Sequence, residues 1–344
     1  MCAIVQTTGR MVTSVLTAIA VVAALTACSA RGGLFGGTPP SSSLASALDQ
    51  IPDMPDAHIM FTDWSMLGHH ASKEQDAAPF AGQLLWVDDA LQRDLGIRST
   101  NADWEIDVWQ PHRYPTVVLH YDGHTDLAGL AAKLTRLGYH ANGSIFTGSA
   151  DQRRTWTLSL RNIGIATDRQ LLIGGPDATA VRSVLADSAL KLGHHDSVTP
   201  LLALAAARLG RIATASLVVG SGACVSLTEL IGLSATPAML ATLRKQFPGK
   251  FTRPQAELTA EADPAGTTAL DALTFPDQGT AQANKAARTA AGKKVSGIDG
   301  DADVIRVTSS TVTGRVLSFT MTAGHPHAFA HHVLYNSLGV DICK

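Results

Sequence analysis

The sequence predicts an α+β fold made of two tandem similar halves, and three observations carry that expectation. Strand-like alternations come in pairs with short connections, helical stretches are closed by glycine, and both recur in the same order about 153 residues later. Each half reads β-α-β-β-α-β-β-α. Strand pairs joined by short links favour mostly antiparallel sheets, with helices packed on one face.

The elements justify themselves in chain order. Residues 59–61 open the first half as a strand and 215–219 open the second, and the helical stretches 80–95 and 237–247 follow them. Trp104, Ile106 and Val108 alternate with Glu105 and Asp107, the pattern of a half-buried strand, and a second strand runs over 116–121. Ala256, Leu258 and Ala260 alternate in the same way with Glu257, Thr259 and Glu261, followed by a strand over 267–275. Leu127, Leu130, Leu134 and Leu137 form one apolar helical stripe behind Asp126, ended by Gly138; the counterpart is 278–291, ended by Gly292. Strand pairs follow at 155–160 with 170–173 and at 304–309 with 315–321, and each pair leads to a proline-started helix, at Pro176 and Pro326. TPLLALAAARL, 199–209, is a helix joining the halves. The domain boundaries are therefore 49–198 and 199–344.

The N-terminus speaks about location. Behind Arg10 an apolar run, 11–25, has the length of a signal-peptide core and ends in Leu25, Thr26, Ala27, Cys28. That tetrad resembles the bacterial lipobox, and with the Ala- and Thr-rich composition the chain resembles the envelope lipoproteins of actinobacteria, many of unassigned function. The resemblance implies cleavage of 1–27, a diacylglyceryl group on Cys28 and attachment to the outer side of the cell membrane. It also implies sugar addition at Thr38 or at Ser41, Ser42 and Ser43. Residues 28–48, rich in Gly, Ser and Pro, read as a flexible tether. In that oxidising compartment the two cysteines left over, Cys224 and Cys343, are expected to form one disulfide.

Composition narrows the chemistry. Of 344 residues 45% are hydrophobic and 16% charged, with a net charge of −2, which suits a folded core and offers no concentrated basic surface for nucleic acid. Thirteen histidines invite a metal reading, and His327 and His331 stand one turn apart on the helix from Pro326. No third ligand accompanies them in sequence, so they are weak candidates and no cofactor is expected. His194, His195 and Asp196 read as a polar loop. Gly220, Ser221, Gly222 lack the glycine frame of a nucleophile elbow, and Gly174, Gly175, Pro176 lack the lysine of a phosphate loop. Asp88 with Asp89, and Asp299 with Asp301, read as surface pairs.

All five tryptophans fall in the first half. Trp104 and Trp109 are an odd number of residues apart on one strand, so they face opposite sides of the sheet, and one of them is left to meet a ligand or partner beside His112 and Tyr114. The expected function is a non-catalytic, lipid-anchored module that binds a small or amphiphilic envelope ligand in a cleft between the halves. A scaffold for another envelope protein complex, and a metal-dependent enzyme, are the alternatives.

Overall fold

The computed structural model describes residues 43–68, 84–111, 113–149, 156, 159–188, 190–226, 236–249, 251–262, 266–295, 305–324, 329 and 342–343. Within them the chain is α+β. The strands are β1 (His58–Asp63), β2 (Trp104–Trp109), β3 (Thr116–His120), β4 (His140–Asn142), β5 (Ile145–Thr147), β6 (Asn162–Ala166), β7 (Leu171–Gly175), β8 (Thr214–Val219), β9 (Val225–Ser226), β10 (Ala256–Glu261), β11 (Thr268–Thr274), β12 (Ile305–Thr313), β13 (Val316–Ala323) and β14 (Ile342–Cys343). The helices are α1 (Ser43–Leu48), α2 (Trp64–Leu67), α3 (Asp88–Leu95), α4 (Leu127–Arg136), α5 (Ala178–Leu185), α6 (Thr199–Leu209), α7 (Pro237–Gln246) and α8 (Gln278–Val295).

Twelve strands form one antiparallel sheet in the order β12-β13-β11-β10-β8-β1-β2-β3-β7-β6-β5-β4. The two halves meet where β1 pairs with β8, Met60 opposite Ser216. The expected pair of separate sandwiches is thus replaced by a continuous sheet. Backbone hydrogen bonds close the junction, so no deep cleft divides it there.

Alternate residues point to opposite faces, and both faces are covered. Ile59, Phe61, Ile106, Val108, Leu217, Leu258 and Leu270 lie on one face, in a core completed by Leu44 and Leu48 of α1, Val181 and Val184 of α5, and Leu201 and Ala205 of α6. On the other face Val117, Leu119 and Leu172 meet Leu91 and Leu95 of α3 and Leu127, Leu130 and Leu134 of α4. Further along that face Leu273, Leu317, Phe319 and Met321 pack with Ala281 of α8. Helices on one face only is therefore corrected to helices on both. The reason is visible in β3, where Val117, Val118 and Leu119 are consecutive and all buried, so neither face is left for water.

Local chemistry sets the helix ends. Asp126 caps α4 by accepting from the Gly129 amide at 2.8 Å, and Gly138 turns the chain at φ +87°. Asp177, not Pro176, caps α5, its carboxylate accepting from the Thr179 amide at 2.8 Å. α8 passes through Gly292, predicted as its stop, and reaches Val295. A mid-helix glycine costs about 1 kcal/mol, and α8 offsets that by burying Ala291 against Phe247 and Phe251. The strand predicted over 155–160 is also displaced. Trp156 and Leu160 sit in turns, Leu160 donating its amide to the Trp156 carbonyl, and the strand is β6. Their spacing made two core anchors look like part of an alternation.

Cys224 and Cys343 are bridged, with Cα atoms 5.7 Å apart, beside the parallel pair β9–β14. Among the described residues no helix is long and apolar enough to cross a membrane.

Candidate functional site

The junction of β1, β2 and β8 opens at one end of the sheet. Antiparallel pairing brings the start of β1 beside the ends of β2 and β8, placing Trp109 opposite His58 and His58 opposite Val218. One strand further, Glu257 of β10 stands opposite Val218. Trp109, His58, Val218 and Glu257 form one row on one face. Around the row's exposed end lies a groove of about 280 Å³, lined by Asp56, Ala57, His58, Trp109, Gln110, Pro111, Val218, Val219, Ser221 and Gly222. That volume falls just short of the range usual for small-molecule sites, which starts at about 300 Å³.

Each wall has a local cause. Gly220 leaves β8 with φ +77°, and a Cβ there would fall 2.2 Å from the Pro55 carbonyl and 2.5 Å from the Asp56 carboxylate, so only glycine lets the two turns approach. The approach lets Asp56 accept from the Ser221 amide at 2.7 Å and from its hydroxyl at 2.8 Å. Those bonds hold the Asp56 carboxyl below its ordinary range, so it is ionised at neutral pH. Two residues past Gly222 comes Cys224, whose disulfide straps the turn to the C-terminal segment.

His58 forms the inner wall. Its ring lies 5.5 Å from the Trp109 ring at a tilt of 38°, and its Nε2 is 3.1 Å from the Ser216 hydroxyl. Burial pushes the imidazole below its usual pKa, because a charged ring would be stripped of water there. At neutral pH the groove therefore pairs a neutral histidine and an indole with aliphatic Val218, Val219 and Pro111, and an anionic rim at Asp56.

The predicted residues divide. Trp109 lines the groove, half-buried, while Trp104 is buried at 5% exposure and stacks on His120 at 5.2 Å, so it fills the core. Tyr114 is 71% exposed and borders a neighbouring recess with Gln110 and Arg113; Arg113 lies 3.9 Å from Asp177. His112, His327, His331, Cys28, Asp299 and Asp301 lie outside the described residues. His195 and Ser197 share a hydrogen bond of 2.8 Å ahead of α6, and His194 faces Asp49 at 3.2 Å. The described residues hold no group of three or more His, Cys, Asp or Glu placed to bind a metal. Asp88, predicted at the surface, is buried and accepts from the Ser99 amide and hydroxyl and the Thr100 hydroxyl.

Two features escaped the sequence reading. His58 and Asp56 stood alone in sequence, and only the register with Trp109 gives them a role. The second is a set of carboxyl groups on the groove's face of the sheet: Glu105, Asp107, Glu257, Glu261 and Asp271 are all buried. The Trp64 indole donates to Glu105 at 3.0 Å and the Thr214 hydroxyl to Glu261 at 2.6 Å. Burial, then the neighbouring Asp107 carboxyl, raise the Glu105 pKa well above its ordinary value, so Glu105 holds its proton. Glu105 and Glu257 recur at the same place in the two predicted strand pairs, a signal that was available but was read as solvent exposure.

No family model matches this chain, and neither does any curated protein or solved structure.

Proposed function

We propose that the protein is a non-catalytic binding module, carried on the outer side of a cell membrane by a lipidated Cys28, that holds a small amphiphilic ligand in the groove at the β1–β8 junction. The observation that carries this reading is the groove itself: an indole, aliphatic walls and a few polar groups converge on one concave site, the usual composition of a small-molecule pocket. Duplication of one unit is the proposed origin of the site. The strand order supports it, running 1-2-3-7-6 outward on one side of the junction and 8-10-11-13-12 on the other. The groove then draws on both copies, with Trp109 from one and Val218 to Gly222 from the other.

Native mass spectrometry of residues 29–344, exported to an oxidising compartment of the host, tests the binding. An extra mass that leaves on denaturation, and is missing from Trp109→Ala, is the expected result; a bare mass with an intact disulfide overturns it. For the anchor, Cys28→Ser is expected to move the protein from the membrane fraction to the medium, measured by immunoblot.

A second reading has its own observation. Trp86, Tyr114 and Leu190 are each at least 70% exposed, and the two aromatic rings suit contact with a protein partner. Under that reading Trp86→Ala, and not Trp109→Ala, loses a crosslinked neighbour.

A further inference from the structure

We propose that the ligand class taken by the groove is a small organic cation with an apolar body, an alkylammonium rather than an anion or a neutral sugar. This inference rests on the binding reading above and adds the charge of the ligand to it.

Charge complementarity carries the argument. Of the described residues that line the groove, Asp56 is the one that bears a full charge, and that charge is negative. The next group along the floor row, Glu257 beside Val218, is a second carboxyl on the same face. Among the described residues the lining holds neither Lys nor Arg. Arg113, in the adjoining recess, is directed to Asp177. His58 could supply a positive charge only by protonation, and burial opposes that. An anion entering the groove would meet a carboxylate and the electron-rich indole of Trp109, with no cation among the described lining residues to receive it. A cationic head group meets the reverse: a carboxylate at the rim and an aromatic wall that attracts positive charge. Its apolar body has Val218, Val219, Ala57 and Pro111 to cover.

The geometry also limits size. About 280 Å³ accommodates a head group with a short chain, and the exposed side of the site lets a longer chain continue outward. Because Asp56 is at the surface, its share of the attraction is screened by salt, whereas the indole's share is not.

The test uses the mature chain and three probes that share a hexyl chain: hexyltrimethylammonium, hexyl glucoside and hexanesulfonate. Calorimetry at low and high salt gives each affinity for wild type, Asp56→Asn and Trp109→Ala. Asparagine keeps an oxygen for the Ser221 bonds while removing the charge, so the rim stays built. The expected result is that the ammonium probe binds about tenfold more tightly than the other two. Asp56→Asn should narrow that gap severalfold without weakening the glucoside, and Trp109→Ala should abolish binding of the cation. Equal or tighter binding of the glucoside or sulfonate, still lost in Trp109→Ala, overturns the cation assignment and leaves the groove as the binding site. Absence of any Trp109-dependent binding overturns both.

Discussion

The two faces of the central strands are equally buried and chemically opposite. On one face β1, β2, β8 and β10 present Phe61, Ile106, Leu217 and Leu258; on the other the same strands present Thr62, Glu105, Ser216 and Glu257. The aliphatic face is held by burial of apolar surface, worth about 25 cal/mol per Å². Apolar burial offers the second face little. Its carboxyl groups stay in place through hydrogen bonds and, at Glu105, a retained proton, since an unpaired buried charge costs several kcal/mol. Alternation along a strand therefore reports that its two faces differ, not that one of them is wet.

The largest expected effect breaks the aliphatic side. Phe61 is fully buried, and Phe61→Ala is expected to cost about 3–5 kcal/mol, read from the shift of the urea midpoint. A cost below about 1 kcal/mol would mean that this face is not the main core. Next comes the strap on the polar side. Replacing Cys224 and Cys343 together by serine opens a link across 119 residues and is expected to cost about 2–5 kcal/mol. Because the strap begins two residues beyond Gly222, ligand affinity at the groove should fall with it. If stability drops while affinity holds, the strap secures the chain end and not the groove.

A smaller effect sharpens the comparison at the rim. Gly220→Ala forces a side chain into positive φ against the Pro55 carbonyl, at an expected cost of about 1–3 kcal/mol. Part of the damage should appear as weaker binding, because Ser221 and Asp56 can no longer meet. Calorimetry beside an unfolding curve separates the two effects.

How much of this was legible in the sequence follows from the same contrast. The strand pairs β2–β3, β10–β11 and β12–β13 and the helix α6 follow from local pattern, since alternation and caps are written within a few residues. The disulfide followed from counting cysteines. The single continuous sheet was hidden, because the β1–β8 pairing joins residues some 156 apart in sequence and leaves no local trace. The short strands β4 and β5 were missed for other reasons: His140, Ala141 and Asn142 are all exposed and carry no apolar alternation, while β5 is three residues long with Ile145 and Phe146 adjacent and both buried, too short to show a period. Trp109 was legible as one of two opposed tryptophans, but its partners His58, Asp56 and Val218 were not. A site assembled by register across three strands is invisible until the register is known.

The last prediction concerns Glu105, where loss of the ionisable carboxyl should cost least. Its folded-state pKa stands well above the ordinary value of about 4.5, through burial first and the Asp107 carboxyl second. A carboxyl shifted in that direction contributes stability that is fully present below pH 4.5 and is lost as pH rises through the folded-state value, because the unfolded chain gives up its proton first. Wild type should therefore weaken on going from mildly acidic to alkaline pH. Glu105→Gln mimics the protonated acid, keeps an oxygen for the Trp64 indole and has no proton to lose. The variant should match wild type near pH 5 and equal or exceed it near pH 8, with a flatter urea midpoint against pH. His58 acts with the opposite sign: its lowered pKa makes the fold lose stability as pH falls below the ordinary histidine value of about 6.5, so that limb should survive in Glu105→Gln and vanish in His58→Gln. A Glu105→Gln protein that loses stability at every pH would show that the carboxyl is ionised and paired. The polar face would then be held by charge, and its contrast with the aliphatic face would be sharper than retained protons allow.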